Sequence, residues 1–428
     1  MVPTKKPTSA YSPFPRSSRR SPRRPRAQWS RETSPSPKRR GDGVRYGSLD
    51  LTPTSHRETS VIPQQKSGQN RLKIAVLGGN EEVGKNMTLL EYGEDIIIID
   101  MGIQFAEEGM LGVDGCVPDL SYLRGKEHRV RAVIITHMHM DHIGAIPFLM
   151  PLLPKVPVFS APLTLALIAK KLEYTPEIKV DLRSVDEESV LRLGAFTVRF
   201  IGVSHSVPAA MGVVIDTPVG RVVHTGDFKV DLNPQSAEEK RLHQSLVDLG
   251  TQNILALMSD STNAPVPGHQ IMEREIEHDL DKIFQDKPGR LIFGMISTNV
   301  ERLGQLITCA EKHGRHVFIG GLSLKTTFEI AQQLGYLTPK PQTIIEVDDL
   351  RCLPPHKIVA VFPGAQGESN GAFSKLADGT QRDMDIQPGD TVVFSSSVIP
   401  GNERTVQFVT DKFFHRGAHV INYKMLDI

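Results

Sequence analysis

Three histidines and an aspartate fall within six residues, His137-Met138-His139-Met140-Asp141-His142, directly after the apolar run 130–136. No other feature restricts the fold as strongly, because an apolar strand must deliver these side chains to one edge of a sheet. Alternate residues of an extended chain share a side, so His137 and His139 point together. Asp141 and His142 fall in the turn into the next helix and can face a second position. Imidazole and carboxylate suit Zn2+, and ligands interleaved in this way suit a two-ion hydrolytic centre. Two other strand ends carry candidates: His205 after residues 196–203, and Asp227 after residues 220–223. His224 reads as a packing or hydrogen-bonding residue. Asp100, closing the run 96–99, reads as the acceptor for a ligand histidine or a loop amide.

Charge is segregated along the chain. Residues 1–70 hold 15 of the 50 Lys and Arg but 4 of the 49 Asp and Glu, a surplus of eleven; the remainder, 35 against 45, has a deficit of ten. The same segment holds 10 of the 30 prolines. It buries too little apolar surface to offset backbone entropy, so a disordered basic tail is expected. Its sharper use is polyanion binding through counterion release. Arg19-Arg20 and Arg23-Arg24 resemble a twin-arginine signal, but no apolar stretch follows, which argues against secretion. A cytoplasmic location is expected, with a plastid transit peptide as the alternative. No run of about 18 apolar residues is present, so no membrane span is expected. Cys116, Cys309 and Cys352 are too few and too scattered for a disulfide framework or a cysteine zinc site.

Order is expected from Arg71. Residues 73–77 read as a strand ended by Gly78-Gly79, and 87–92 with 96–100 as a hairpin. Residues 162–172 read as a helix, and 196–203, 211–216 and 220–225 as strands. From Asn253 onward strands (291–296, 317–319, 358–362, 391–395) alternate with helices (273–284, 300–312, 324–334), which predicts a second, parallel α/β unit. Ser297-Thr298-Asn299, at a strand-to-helix junction, offers free amides and side-chain donors that suit an RNA phosphate.

The H-x-H-x-D-H run, the later strand-end histidine and aspartate, and Asp100 together resemble the metallo-β-lactamase pattern. Gly84-Lys85-Asn86-Met87-Thr88, Met110-Leu111-Gly112-Val113-Asp114, Val117-Pro118-Asp119-Leu120-Ser121-Tyr122-Leu123, Asp260-Ser261-Thr262-Asn263-Ala264 and residues 395–403 resemble ribonuclease J. These bacterial and plastid β-CASP nucleases act on RNA 5′→3′ and internally. The resemblance spans residues 71–428. It implies an α/β fold, a metallo-β-lactamase αββα sandwich with an inserted β-CASP parallel α/β domain. The implied division is a tail over 1–70, the sandwich over 71–263, the insertion over 264–412, and a return to the sandwich over 413–428. One zinc is implied at His137, His139 and His205. A second is implied at Asp141, His142 and a histidine beyond Ile428, with Asp227 bridging. Asp141 and Asp260 are the implied catalytic carboxylates. Gly112 and Asp114 match a loop that in some members holds a structural calcium.

Three departures stand out. Met138 and Met140 replace the usual Gly and Glu, and Ala209 stands where Asp is common. The family's Ser-Gly-His phosphate-binding loop and last zinc-binding histidine are not reached before Ile428, so a truncated form is expected. The implied activity is zinc-dependent hydrolysis of RNA, with a dimer or tetramer as the full-length assembly. The alternative is a catalytically impaired RNA-binding subunit of a nuclease assembly. Hydrolysis of a small ester or thioester is disfavoured, because a small substrate needs no second wall over its site.

Overall fold

The computed structural model describes residues 45–46, 49–50, 71–106, 110–153, 155–268, 270–368, 371–396, 398 and 401–422. The tail expected over 1–70 lies outside the described residues, except where Arg45–Tyr46 pairs antiparallel with Leu49–Asp50.

The first sheet opens with an antiparallel meander, Lys73–Gly78, Met87–Tyr92 and Asp95–Ile99. Val130–Ile134 then joins Asp95–Ile99 in parallel, followed by Pro157–Ser160 and Asp181–Ser184. Four consecutive isoleucines, Ile96 to Ile99, are fully buried because this strand is covered on both faces. Ile96 and Ile98 pack with Leu163 and Leu167 of the helix Pro162–Leu172. Ile97 and Ile99 turn the other way, toward a second sheet.

That second sheet runs Val190–Leu193, Phe196–Gly202, Met211–Thr217 and Gly220–His224 antiparallel, with Ile254–Met258 added in parallel. Its inward residues Phe196, Val198, Phe200, Val213, Ile215 and Val222 close on Leu90, Ile97, Ile99 and Ile134 of the first sheet. Leu249, from the helix Ala237–Gly250, covers Val214 and Val223 on its outer face. Two sheets face to face with helices outside make an αββα sandwich.

The third sheet is wholly parallel, in the order Ile344–Ile345, His316–Ile319, Ile358–Pro363, Leu291–Met295, Thr391–Ser395, His419–Ile421. Glu273–Asp286, Val300–Lys312 and Leu322–Gln333 cover one face, and Ala372–Ala377 and Glu403–His415 the other. This is the parallel unit that the strand–helix rhythm predicts. The expected return to the sandwich after residue 412 is corrected. Glu403–His415 continues through that point with Phe413 fully buried, and His419–Ile421 pairs with Thr391–Ser395 as the edge of the third sheet. Ending the helix at 412 would strip Phe413 from its ring contacts with Phe373 and Phe394. Among the described residues no helix is long and apolar enough to cross a membrane.

Candidate metal centre

Each candidate ligand sits just past a strand end. After Val130–Ile134 the chain leaves the sheet through Ile135, Thr136 and His137, then turns into the short helix Met140–Ile143. Asp100 fixes that exit. Its backbone has φ +62°, and its carboxylate accepts from Thr136 N at 2.8 Å, Thr136 Oγ1 at 2.9 Å and His142 Nδ1 at 2.7 Å. Asp100 therefore holds both a candidate ligand histidine and a loop amide, where the sequence reading offers one or the other. His205 follows Phe196–Gly202, and Asp227 follows Gly220–His224 through Gly226 at φ +59°. His224 Nδ1 accepts from Gly226 N at 3.0 Å, so its ring is spent on the loop that carries Asp227.

The side chains form two groups that share one residue. Ligating atoms of His137, His139, His205 and Asp227 all lie within 4.8 Å of one another, as do those of Asp141, His142 and Asp227. Asp227 turns one oxygen toward each group. Its Oδ2 lies 3.8 Å from His137 Nε2 and 3.9 Å from His205 Nε2, while its Oδ1 lies 3.3 Å from His142 Nε2. In the first group His139 Nδ1 is 3.0 Å from His137 Nε2 and 3.1 Å from His205 Nε2. Three imidazole nitrogens this close repel through their lone pairs unless a proton or a cation lies among them. That donor set, three imidazoles and a carboxylate, fits zinc.

Electrostatics keep most of these groups in their ligating forms. Burial pushes His137 far below its ordinary value, helped by His142, and the Asp227 charge does not reverse it. Burial also lowers His139, and brings His205 down to about 3. Burial opposes ionisation of Asp227, but His142 outweighs it and holds the carboxyl well below the usual range. Asp141 is lowered in the same way. His142 is the exception: burial disfavours its charge, yet Asp227, Asp141 and Asp100 together raise it well above 6.5. A cation held by His142 would take the place of that proton.

The other sequence candidates fare differently. Met138 is buried in the hydrophobic core. Asp260 joins neither group. Its Oδ1 accepts from Thr262 N at 2.9 Å and Thr262 Oγ1 at 2.7 Å, a local turn in which a short carboxylate bonds its own backbone. Asp260 N donates to Thr225 Oγ1 at 3.0 Å, which ties this turn to the Asp227 loop. Asn299 caps the helix Val300–Lys312 by accepting from Arg302 N at 2.9 Å, and Thr298 and Asn299 are buried. Of the three residues expected to meet RNA, Ser297 alone is half-exposed. Gly112 and Asp114 lie in an exposed turn with Gly112 at φ +76°. Among the described residues Asp114 belongs to no cluster of three or more His, Cys, Asp or Glu side chains. Asn86, which no local pattern marks as a site residue, brings its amide to Asp141 and His142.

A fold of two facing sheets with paired histidine–aspartate groups at the strand ends defines a metallo-β-lactamase-type centre. The model of the metallo-beta-lactamase superfamily matches residues 81–294, and that of the ribonuclease J beta-CASP domain matches residues 288–413. Ribonuclease J of Thermus thermophilus is 37% identical over 365 residues, covering 83% of this chain and 63% of its own length. Ribonuclease J 1 of Streptococcus pyogenes is 38% identical over 360 residues, covering 84% and 64%. Ribonuclease J2 of Bacillus subtilis is 34% identical over 358 residues, covering 83% and 64%. The chain belongs to the ribonuclease J family of the metallo-beta-lactamase superfamily, and spans 63–64% of the length of these relatives. A crystal structure of a protein of unknown function from Enterococcus faecalis shares the fold, with a TM-score of 0.60 at 15% identity, covering 82% of this chain and 87% of that one.

Proposed function

We propose that this chain is the catalytic body of a zinc-dependent ribonuclease that hydrolyses RNA phosphodiester bonds, both 5′→3′ and internally. The observation that carries the proposal is Asp227, with one carboxylate oxygen facing each ligand group. His137, His139 and His205 would hold one ion, and Asp141 and His142 the other, with Asp227 between them. Two zinc ions, when bound, lower the pKa of a water between them and neutralise charge building on the phosphate. Asp141, whose carboxylate accepts from Asn86 Nδ2 at 3.2 Å, would take the proton leaving the attacking water. Ser297, half-exposed at the start of the helix Val300–Lys312, donates to an RNA phosphate. Asp260 acts through the turn it closes beside Thr225 rather than at the reacting atoms.

The proposal extends to RNA as substrate, RNA processing and decay as the setting, a dimer or tetramer as the assembly, and the cytoplasm as the location. The domain division proposed is 71–263 for the sandwich and 264–422 for the β-CASP unit. The alternative, an RNA-binding subunit with impaired catalysis, draws on the thinner second group, which has two side chains of its own against three in the first. Single-turnover cleavage of 5′-labelled, 5′-monophosphorylated RNA in saturating zinc separates the two. The catalytic reading expects cleavage that Asp141→Ala abolishes while RNA affinity stays. If the unaltered chain is as inert as Asp141→Ala yet binds RNA equally well, the subunit reading takes its place.

A further inference from the structure

The segment Gly78-Gly79 to Asn86 carries a motif that neither ligand group uses, and its geometry is tightly constrained. Asn86 touches Asp141 twice. Its backbone N donates to Asp141 O at 3.0 Å, and its side-chain Nδ2 donates to Asp141 Oδ2 at 3.2 Å. The same Nδ2 lies 3.1 Å from His142 Nε2, whose one lone pair would serve either this contact or a cation, so an ion there would leave Asn86 its two bonds to Asp141. The positioning role therefore falls on Asp141, one of the two side chains that belong to the second group alone.

Three glycines hold Asn86 there. A Cβ on Gly102 would stand 1.5 Å from Asp141 O and 2.8 Å from Asn86 N, and Gly102 N donates to Asn86 O at 3.0 Å. A Cβ on Gly79, which sits at φ +88°, would stand 2.3 Å from Asn86 Oδ1. A Cβ on Gly78 would stand 2.2 Å from Lys85 O. Lys85 itself has φ +54°, the left-handed turn that swings Asn86 inward. No ligand function explains so much backbone crowding around a neutral side chain. Clamping the backbone and the carboxylate of one residue together does explain it.

We propose that Asn86 is a positioning residue for the second metal subsite. It orients the Asp141 carboxylate and sets the affinity of that subsite independently of the first. Among the described residues no hydrogen bond joins Asn86 to the first group: His137, His139 and His205 bond among themselves, to Thr136 and to Ser206, and face Asp227. The inference rests on the two-ion reading of the centre, and the test separates the two.

The metal-free 428-residue protein is titrated with zinc against a chromophoric chelator, for the unaltered chain, Asn86→Ala and Asp141→Ala. The unaltered chain should bind in two steps, and Asp141→Ala should lose the weaker one. Asn86→Ala should weaken that same step by about 10- to 100-fold, the usual effect of removing a partner that orients a ligand, and leave the tighter step unchanged. If Asn86→Ala weakens both steps equally, or neither, Asn86 is a structural residue only and the proposal fails. If the unaltered chain shows one step that Asp141→Ala does not alter, the two-ion reading fails with it. Should Asn86→Ala not fold, Asn86→Ser, which keeps a small polar side chain but is too short to reach Asp141 Oδ2, is read in the same way.

Discussion

Asp100→Asn is the most informative single change beside the centre. Asparagine tolerates the φ of +62° at this position, so the backbone can stay as it is. The carboxylate is 1% exposed and serves three donors, Thr136 N, Thr136 Oγ1 and His142 Nδ1. An amide has one acceptor oxygen. Whichever way it lies, its NH2 faces either the Thr136 amide or the His142 ring proton, and one buried donor goes unpaired. That costs about 1–3 kcal/mol, and losing the charge on the remaining bonds adds to it, for a total near 3 kcal/mol. The thermal midpoint of the metal-free protein should fall by several degrees. The His142 ring, no longer held through Nδ1, should bind its ion about 10- to 100-fold more weakly. The tighter zinc step should change less, since His137 Nδ1 keeps Thr136 Oγ1 at 3.0 Å. Differential scanning calorimetry and zinc titration measure both effects. An Asp100→Asn protein with an unchanged midpoint and unchanged zinc steps would refute the reasoning, because it would mean these bonds carry neither the fold nor the ligand.

Three further outcomes follow from particular residues. Glu91 is 4% exposed and accepts from Tyr122, Lys73, Lys126 and Arg129. Burial opposes its charge, but hydrogen bonds from Tyr122, Lys73 and Lys126 and the charge of Arg129 hold its carboxyl down to about 2, from an ordinary 4.5. That stabilisation is present above the unfolded value and lost as pH falls toward the folded one. Glu91→Gln should therefore cost about 2 kcal/mol at pH 7, allowing for solvent screening by the half-exposed Lys73. The gap to the unaltered chain should close as pH falls toward 2, and parallel stability curves would contradict this. Ala209 is exposed at φ +57°; Ala209→Asn should raise stability by about 0.5–1 kcal/mol in urea unfolding by relieving left-handed strain, and no gain would exclude strain at this residue. Deleting residues 1–70 removes a surplus of eleven positive charges and should flatten the dependence of log affinity for single-stranded RNA on log salt by about 0.7 for each phosphate that the tail neutralises; identical slopes would exclude the arm.

Much of the centre is legible in the sequence because its signals are local. Four candidate ligands lie within His137–His142, and strand alternation alone separates the pair His137/His139 from Asp141/His142. His205 and Asp227 follow strands whose apolar runs are plain. The helices Pro162–Leu172 and Val300–Lys312 sit where their patterns put them. What depends on distant pairing is not legible. Asn86 meets Asp141 55 residues away, and nothing in Gly84-Lys85-Asn86 announces that contact. The third sheet places His419–Ile421 beside Thr391–Ser395, an edge that local pattern cannot distinguish from the start of another domain. Other features do carry a local signal. Ser236 and Glu239 form a capping box that opens the helix Ala237–Gly250, and Val406, Val409, Thr410 and Phe413 give Glu403–His415 an apolar stripe at helical spacing. Asp260-Ser261-Thr262 likewise has the spacing of a self-closing turn, which explains why its carboxylate does not face the ligands.

The central claim is that one carboxylate joins two ion sites. Anomalous diffraction at the zinc absorption edge, from crystals of this protein grown with zinc, tests it most directly. The account predicts two peaks flanking Asp227, the stronger among His137, His139 and His205 and the weaker beside Asp141 and His142. A single peak that touches neither Asp141 nor His142 even at high zinc, or peaks away from Asp227, would contradict it.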